Sequence, residues 1–181
     1  MVSWRIKLVR VPSVVTVFNV DRTGRDAVTK LVHQWESIAP ALEEDLYLRM
    51  NVSGTQLKGG QTDVQLTFNG MYLGPLHELL DIVNKSFLEM GMVASDYKET
   101  SWIGSISYTA YTNRAELRNR YDSNKGYFKV KSDFVKSPIP PSTWHGAWKF
   151  LEKLPGNSYV LLDPLGGIMD PIPPSAIPFP H

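Results

Sequence analysis

Two runs of strictly alternating polar and apolar residues constrain the fold of this chain more than any other feature. Apolar side chains occupy every second position in residues 45–52, and the same pattern returns in residues 64–69. The turn signal Lys58-Gly59-Gly60 lies between the two runs. Because successive side chains of a strand point to opposite faces, each run has one apolar and one polar face. The pattern predicts a β-hairpin that buries only one of its faces.

The remaining segments predict further strands and helices around this hairpin. Extended runs are predicted at residues 2–20, broken at Pro12, and at residues 127–135 and 159–163. Helices are predicted from Thr23 to Pro40, from Pro75 to near Gly91, around Trp102, and from Ser142 to about Leu154. Each long helix has one apolar stripe, which needs a sheet face to cover. The predicted fold is therefore α+β, a mostly antiparallel β-sheet with helices covering one face.

The polar face of the predicted sheet carries the candidate site. Its side chains on the hairpin are Tyr47, Arg49, Asn51, Gln65, Thr67 and Asn69, and the predicted strand at residues 127–135 would add Lys129, Lys131 and Asp133. Antiparallel sheets often expose one polar face to water, and the pattern by itself favours that interpretation. A binding surface is the alternative, and alternation does not separate the two.

Composition and motifs exclude several classes of function. With 181 residues and a net charge of +1, the chain is expected to form one domain that recruits neither nucleic acid nor a membrane. There is no cysteine and the histidines are scattered, so no metal site is expected. The pairs Gly59-Gly60 and Gly166-Gly167 lack the spacing of a dinucleotide-binding fingerprint and are interpreted as turns.

Two sequons, Asn51-Val52-Ser53 and Asn84-Lys85-Ser86, are candidate sites of N-glycosylation. They suggest passage through the secretory pathway, whereas the absence of cysteine would also suit the cytosol. Composition alone leaves the compartment open.

A series of sequence blocks runs through the whole chain. They occupy residues 3–9, 15–18, 30–35, 45–49, 68–74, 86–92, 99–103, 127–135, 163–167 and 177–181. The most specific are Ser101-Trp102-Ile103, Lys131-Ser132-Asp133-Phe134-Val135 and Pro178-Phe179-Pro180-His181. In this order they resemble the substrate-binding domain of plant berberine bridge enzyme-like (reticuline oxidase-like) FAD-linked oxidoreductases. Two positions depart from that pattern, because Tyr97 stands where the family usually has Cys and Leu165 where it has an aromatic residue.

The resemblance implies a division of labour with a flavin domain. Residues 1–12 would be the last strand and junction of a missing FAD domain, and residues 13–181 an incomplete substrate-binding domain. The flavin tethers and the phosphate-binding loop would belong to the preceding domain, and the catalytic base would lie beyond His181. FAD is therefore expected in the full-length parent, whereas this chain alone is expected to bind none and to be inactive.

The resemblance also changes the interpretation of the polar face. In the family this face looks toward flavin and substrate, which implies substrate contacts for Tyr47, Arg49, Asn51, Gln65, Thr67 and Asn69. Asn51 aligns with an active-site His of the cannabinoid acid synthases, where Asn would serve only in hydrogen bonding. A glycan on Asn51 would be incompatible with that role.

The function implied by the resemblance is oxidation of a small plant metabolite or carbohydrate with O2 as acceptor. The expected partners are the FAD-binding domain of the same parent and a small-molecule substrate. The expected location is secreted, in the cell wall or vacuole. The alternative is a non-catalytic fragment or paralogue that acts as an allergen or a binding protein.

Overall fold

A five-stranded antiparallel sheet forms the centre of the molecule. The structure, a computed structural model, describes residues 8–110, 112–113, 115–119, 126–155, 158–164 and 173–176. The strands are β1 (Val15–Thr23), β2 (Leu46–Gln56), β3 (Thr62–Tyr72), β4 (Tyr97–Thr100) and β5 (Tyr159–Leu162), in the spatial order β4-β1-β3-β2-β5. The predicted hairpin is confirmed, since β2 and β3 pair over 11 residues each. The short strands β4 and β5 form the two edges.

Four α-helices accompany the sheet in the described residues. They are α1 (Arg25–Ile38), α2 (Leu76–Ser86), α3 (Trp102–Thr109) and α4 (Pro141–Leu151). Proline marks the start of α2 and α4, where its missing N–H costs no helical hydrogen bond. After α2 the chain continues as a 3₁₀ turn, Leu88–Met90, and then leaves the helical path at Gly91, which has a φ of 60°. The predicted helix from Pro75 to Gly91 is therefore an α-helix that ends in a tighter turn.

The core lies between one face of the sheet and the helices α1, α2 and α4. The sheet supplies Leu48, Met50, Leu66 and Phe68, and the helices supply Val28, Val32, Leu79, Val83 and Trp148, all of them buried. The buried indole N–H groups find acceptors, because Trp148 Nε1 donates to Thr29 Oγ1 at 2.8 Å and Trp35 Nε1 donates to the Leu48 carbonyl at 3.2 Å. The predicted α+β fold, with helices covering this face of the sheet, is confirmed. We call this side the covered face.

A glycine on β3 makes room for an aromatic ring of the neighbouring strand β1. Phe18 lies opposite Gly70 in the antiparallel register, and a Cβ at Gly70 would come within 1.9 Å of the tip of the Phe18 ring. The same ring meets Tyr97 of β4 edge-on at 5.3 Å. The aromatic contact helps to hold the edge strand β4, which the sequence did not predict.

The short helix α3 adds a partial wall on the opposite side of the sheet. Val15 and Val17 of β1 are fully buried but lie outside the main core cluster. Val17 pairs with Met71, whose side of β3 also carries Asn69. Because α3 contacts β1 and its residues lie beside those polar side chains, it covers the β1 end of that face.

The predicted strand at residues 127–135 is wrong. The segment forms no ladder, and Tyr127, Phe128 and Phe134 are exposed. Alternation is insufficient because a strand also needs a neighbouring strand edge to pair with. Lys129, Lys131 and Asp133 therefore do not extend the polar face.

At the N-terminal end, β1 begins at Val15 and residues 8–14 are irregular. The first half of the extended run predicted at residues 2–20 lies largely outside the described residues. The domain boundary predicted at residue 12 stays a prediction.

Candidate functional site

The predicted polar side chains lie together on the face of the sheet opposite the core. Asn69 is opposite Arg49 in the antiparallel register, Thr67 is opposite Asn51, and Gln65 is opposite Ser53. Residues directly opposite each other share one face of an antiparallel pair. We call this side, which carries Tyr47, Arg49, Asn51, Gln65, Thr67 and Asn69, the open face.

A cavity of about 630 Å³ lies over the open face. Besides the side chains of the open face, it is lined by Asn19, Asp21 and Met71 from the sheet and by Ile106, Tyr108 and Thr109 from α3. The ammonium group of Lys98 lies 5.9 Å from the centre of the Tyr108 ring, a cation–π contact between the edge strand and this wall. The α3 residues were not predicted, because the residues around Trp102 indicate a helix but not the face it covers.

One end of the open face is organised by Asp163, which directly follows β5. Arg49 donates from Nε to Asp163 Oδ1 at 2.6 Å and from Nη2 to Oδ2 at 3.1 Å. Tyr47 donates its hydroxyl proton to Asp163 Oδ1 at 2.7 Å. This carboxylate thus joins two predicted site residues and neutralises the charge of one of them.

The surroundings of this cluster favour an ionised Asp163 and a protonated Tyr47. Burial works to raise the pKa of Asp163, but the hydrogen bonds from Arg49 and Tyr47 outweigh it and hold the pKa below its ordinary value. Burial, together with the hydrogen bond to Asp163, raises the pKa of Tyr47 to about 12. Tyr47 therefore stays protonated, and Asp163 stays ionised, at neutral pH.

Asp163 was missed as a site residue, although a signal for it exists. Tyr159, Leu161 and Asp163 continue one alternation, and Leu161 is opposite Asn51 in the register. The sequence shows that these three residues share one face of a strand, but it does not show that β5 pairs with β2.

The other end of the open face has polar pairs of its own. Thr67 donates to Asp21 Oδ1 at 2.6 Å, and Asn69 Nδ2 donates to Asn19 Oδ1 at 2.8 Å. Both pairs connect β3 to β1 across the floor of the cavity. They fix the side chains in defined orientations without adding a positive charge.

Asn51 lies between these two ends and has an unsatisfied group. Its Oδ1 is buried and accepts no hydrogen bond within the described residues. A buried polar atom without a partner costs about 1–3 kcal/mol, so each such atom in a native protein needs a specific explanation. Asn51 is thus a hydrogen-bonding group that the chain itself leaves open.

Other kinds of site find no support in the part of the chain that the structure describes. That part contains no group of His, Cys, Asp and Glu side chains that could hold a metal ion. None of its helices is long and apolar enough to cross a bilayer. Gly59 and Gly60 form the turn of the hairpin, with φ of 100° and 82°, as predicted, and Gly166-Gly167 lies outside the described residues.

Comparison with known proteins gives a consistent relationship along the whole chain, although no family model matches it. Berberine bridge enzyme-like D-1 of Nicotiana tabacum is 40% identical over 187 residues, which cover 99% of this chain and 33% of that protein. The structure of berberine bridge enzyme from Eschscholzia californica matches with a TM-score of 0.85 and 35% identity, over 97% of this chain and 35% of that one.

A grass pollen allergen, Phl p 4, described as having glucose dehydrogenase activity, matches with a TM-score of 0.80 at 33% identity, over 97% of this chain and 35% of that one. The chain thus spans about a third of the length of the relatives it matches. These relatives are FAD-dependent oxidoreductases.

Proposed function

We propose that this chain is the substrate-binding part of an FAD-dependent oxidoreductase of the berberine bridge enzyme-like family. It is similar to these proteins over its whole length and spans about one third of theirs. The parent would oxidise a small plant metabolite or carbohydrate with O2 as acceptor. The observation that carries the proposal is the open face, a cavity floor of ordered polar groups with an unsatisfied Asn51 at its centre.

The residues of the open face fit the neutral parts of a flavin and a substrate. The carboxamides of Asn51 and Gln65 offer hydrogen bonds without charge, and Arg49 is already paired with Asp163. The cavity therefore suits a ring system and its polar edge better than the phosphates of FAD. In the full-length parent, FAD would supply the hydride acceptor and the route of the electrons to dioxygen, and the residues of this chain would bind and orient the substrate.

Exposed apolar side chains support the proposal that another domain covers part of this chain. Tyr159 and Leu161 of β5 share the open face and are 57% and 42% exposed. Tyr127, Phe128 and Phe134 are exposed to a still greater extent. Large apolar side chains left in water are typical of surfaces that other parts of a protein cover. We propose that the FAD-binding domain of the same parent is that partner.

The absorption spectrum tests this function directly. We expect the purified 181-residue chain to be colourless and the full-length protein to show the flavin bands. With its substrate the full-length protein should consume oxygen, and flavin bands should bleach when oxygen is removed. A full-length protein without flavin would contradict the proposal.

A non-catalytic role is the second candidate. The similarity to Phl p 4, which is described as a pollen allergen, favours it. An allergen or binding protein without oxidase activity would leave the open face unused. Full-length protein that binds flavin but never turns over any alcohol, sugar or alkaloid substrate would support this alternative.

We propose that the protein is secreted, to the cell wall or vacuole, because its relatives are generally extracellular. Of the two sequons, Asn84 is exposed on α2, whereas Asn51 is half-buried in a strand that pairs on both sides. Mass spectrometry of protein from plant tissue should find glycan on Asn84 and none on Asn51. Glycan on Asn51 would contradict the assignment of the open face.

A further inference from the structure

Asp163 does not line the cavity, but it accepts hydrogen bonds from two side chains that do, Tyr47 and Arg49. It lies one position beyond the last registered pair of β5 with β2, on the side of the open face. Its carboxylate receives a hydrogen bond from Tyr47 and two from Arg49. A residue in this position acts on a ligand only through the groups that it orients.

The hydrogen bond to Asp163 fixes the polarity of the Tyr47 hydroxyl. A phenol has one proton to donate and two lone pairs that accept. Because the proton of Tyr47 is directed at Asp163 Oδ1, at 2.7 Å, the hydroxyl can only accept a hydrogen bond from the cavity side. Burial and Asp163 raise the pKa of Tyr47 to about 12, so this polarity persists at neutral pH.

The other groups of the cavity have a compatible polarity. Asn51 Oδ1 is an acceptor that receives no hydrogen bond from the described residues. Asp21 brings a negative charge at the far end, where it accepts from Thr67. Arg49 shares its charge with Asp163, so the described residues that line the cavity supply no surplus of positive charge to bind a carboxylate or phosphate. A ligand that donates hydrogen bonds and is neutral complements this arrangement.

We propose that Asp163 is a positioning residue that makes Tyr47 a hydrogen-bond acceptor toward the cavity, so that the open face selects substrates presenting an O–H donor. This inference rests on the proposed function and adds to it the chemical class of the bound group, a hydroxyl. It also assigns Asp163 a role in specificity that is separate from stabilising the β5 edge.

Phenol and anisole form the test pair, because only phenol can donate a hydrogen bond from its oxygen. Their affinities for the 181-residue chain are measured by NMR titration, with the side-chain amide signals of Asn51 and Gln65 reporting binding at the open face. We expect phenol to bind about tenfold more tightly, which corresponds to one hydrogen bond. The ratio should stay constant between about pH 5 and pH 9, where neither Asp163 nor Tyr47 titrates.

Two variants separate positioning from structure. Asp163→Ala frees Tyr47 to donate as well as accept, so the preference for phenol should fall to about twofold or less. Tyr47→Phe leaves the Arg49–Asp163 pair intact but removes the acceptor, and it should lose the preference equally. Asn84→Gln, on the far side of the core, should keep the wild-type ratio.

The outcomes distinguish this inference from the function on which it rests. A folded Asp163→Ala variant that keeps the tenfold preference overturns the positioning role and leaves the binding face intact. Equal affinities for both probes in the wild type also overturn it. If neither probe shifts the amide signals, the inference and the proposed binding face are both wrong.

Discussion

The covered and open faces belong to the same strands, yet they have different tasks. On β2, Leu48, Met50 and Val52 are buried against helices, whereas Tyr47, on the opposite face of the same strand, is 39% exposed. On the covered face the helices bury the apolar side chains, and the buried hydroxyl of Tyr97 has no hydrogen-bond partner among the described residues. The open face leaves Asn51 Oδ1 without a partner and apolar groups of β5 in water. Alternation thus lets one set of strands specify a core and a separate polar face, which we propose as the binding surface.

The largest expected difference between the two faces is in stability. Leu79 of α2 is fully buried, so Leu79→Ala should lower the free energy of unfolding by about 2–5 kcal/mol. Gln65→Ala on the open face should change it by less than about 0.5 kcal/mol. Urea denaturation of the two variants measures both values. Equal losses would mean that the open face is part of the stabilising core.

A smaller loss of stability is expected from a substitution at Gly70, where β1 and β3 lie side by side on the covered face. Gly70→Ala places a Cβ 1.9 Å from the Phe18 ring and should cost about 1–3 kcal/mol through forced displacement of that ring. Gly146→Ala is the matched control, because no atom lies within 4 Å of its Cβ and alanine favours the helix by about 1 kcal/mol. The melting temperature should therefore fall in Gly70→Ala and rise in Gly146→Ala. A neutral Gly70→Ala would show that Phe18 does not pack there.

Two carboxyl groups give the faces opposite dependences on pH. The pKa of Asp163 is held below its usual 3.8, since the hydrogen bonds from Arg49 and Tyr47 outweigh burial. Its stabilising effect is thus present above that value and is lost as pH falls through the lower, folded-state pKa. The half-exposed pair is worth about 1 kcal/mol, so Asp163→Asn should cost this amount at pH 7 and less below about pH 3.8.

Glu36 lies on the helical side and should show the reverse. Burial raises its pKa above 4.5, although the Ile139 N–H and Trp144 indole donate to it and lower the pKa in part. Its contribution is therefore full at low pH and is lost as pH rises through the folded-state pKa. Melts of Glu36→Gln and Asp163→Asn from pH 3 to pH 7 compare the two. The same sign for both would contradict this electrostatic account.

The sequence predicted the hairpin and the members of the open face because both depend on local alternation. It did not predict β4, whose Tyr97–Thr100 segment is short and carries Lys98 and Glu99 without a repeating pattern. It predicted a strand at residues 127–135, a segment that pairs with none of the described strands. Local pattern defines which faces a strand would have, but not whether a partner strand is available.

The site residues that the sequence did not predict, Asp163 and Tyr108, reach the open face through contacts between segments that are far apart in the sequence. Asp163 is more than 110 residues from the side chains that it holds, as the separations of 116 and 114 positions to Tyr47 and Arg49 show. Tyr108 enters the cavity only because α3 packs on the β1 end of the open face. Neither arrangement has a signature within a single segment, so the structure was needed to find them.

The most direct test of the open face is the catalytic efficiency of Asn51→Ala in the full-length, flavin-loaded protein. Removing a buried, unsatisfied acceptor should leave the melting temperature unchanged or slightly higher. Because the same group is proposed to bind substrate, kcat/KM should fall by about tenfold or more. Asn84→Gln should leave both values unchanged. Wild-type kcat/KM in Asn51→Ala would contradict the assignment of the open face as the substrate-binding surface.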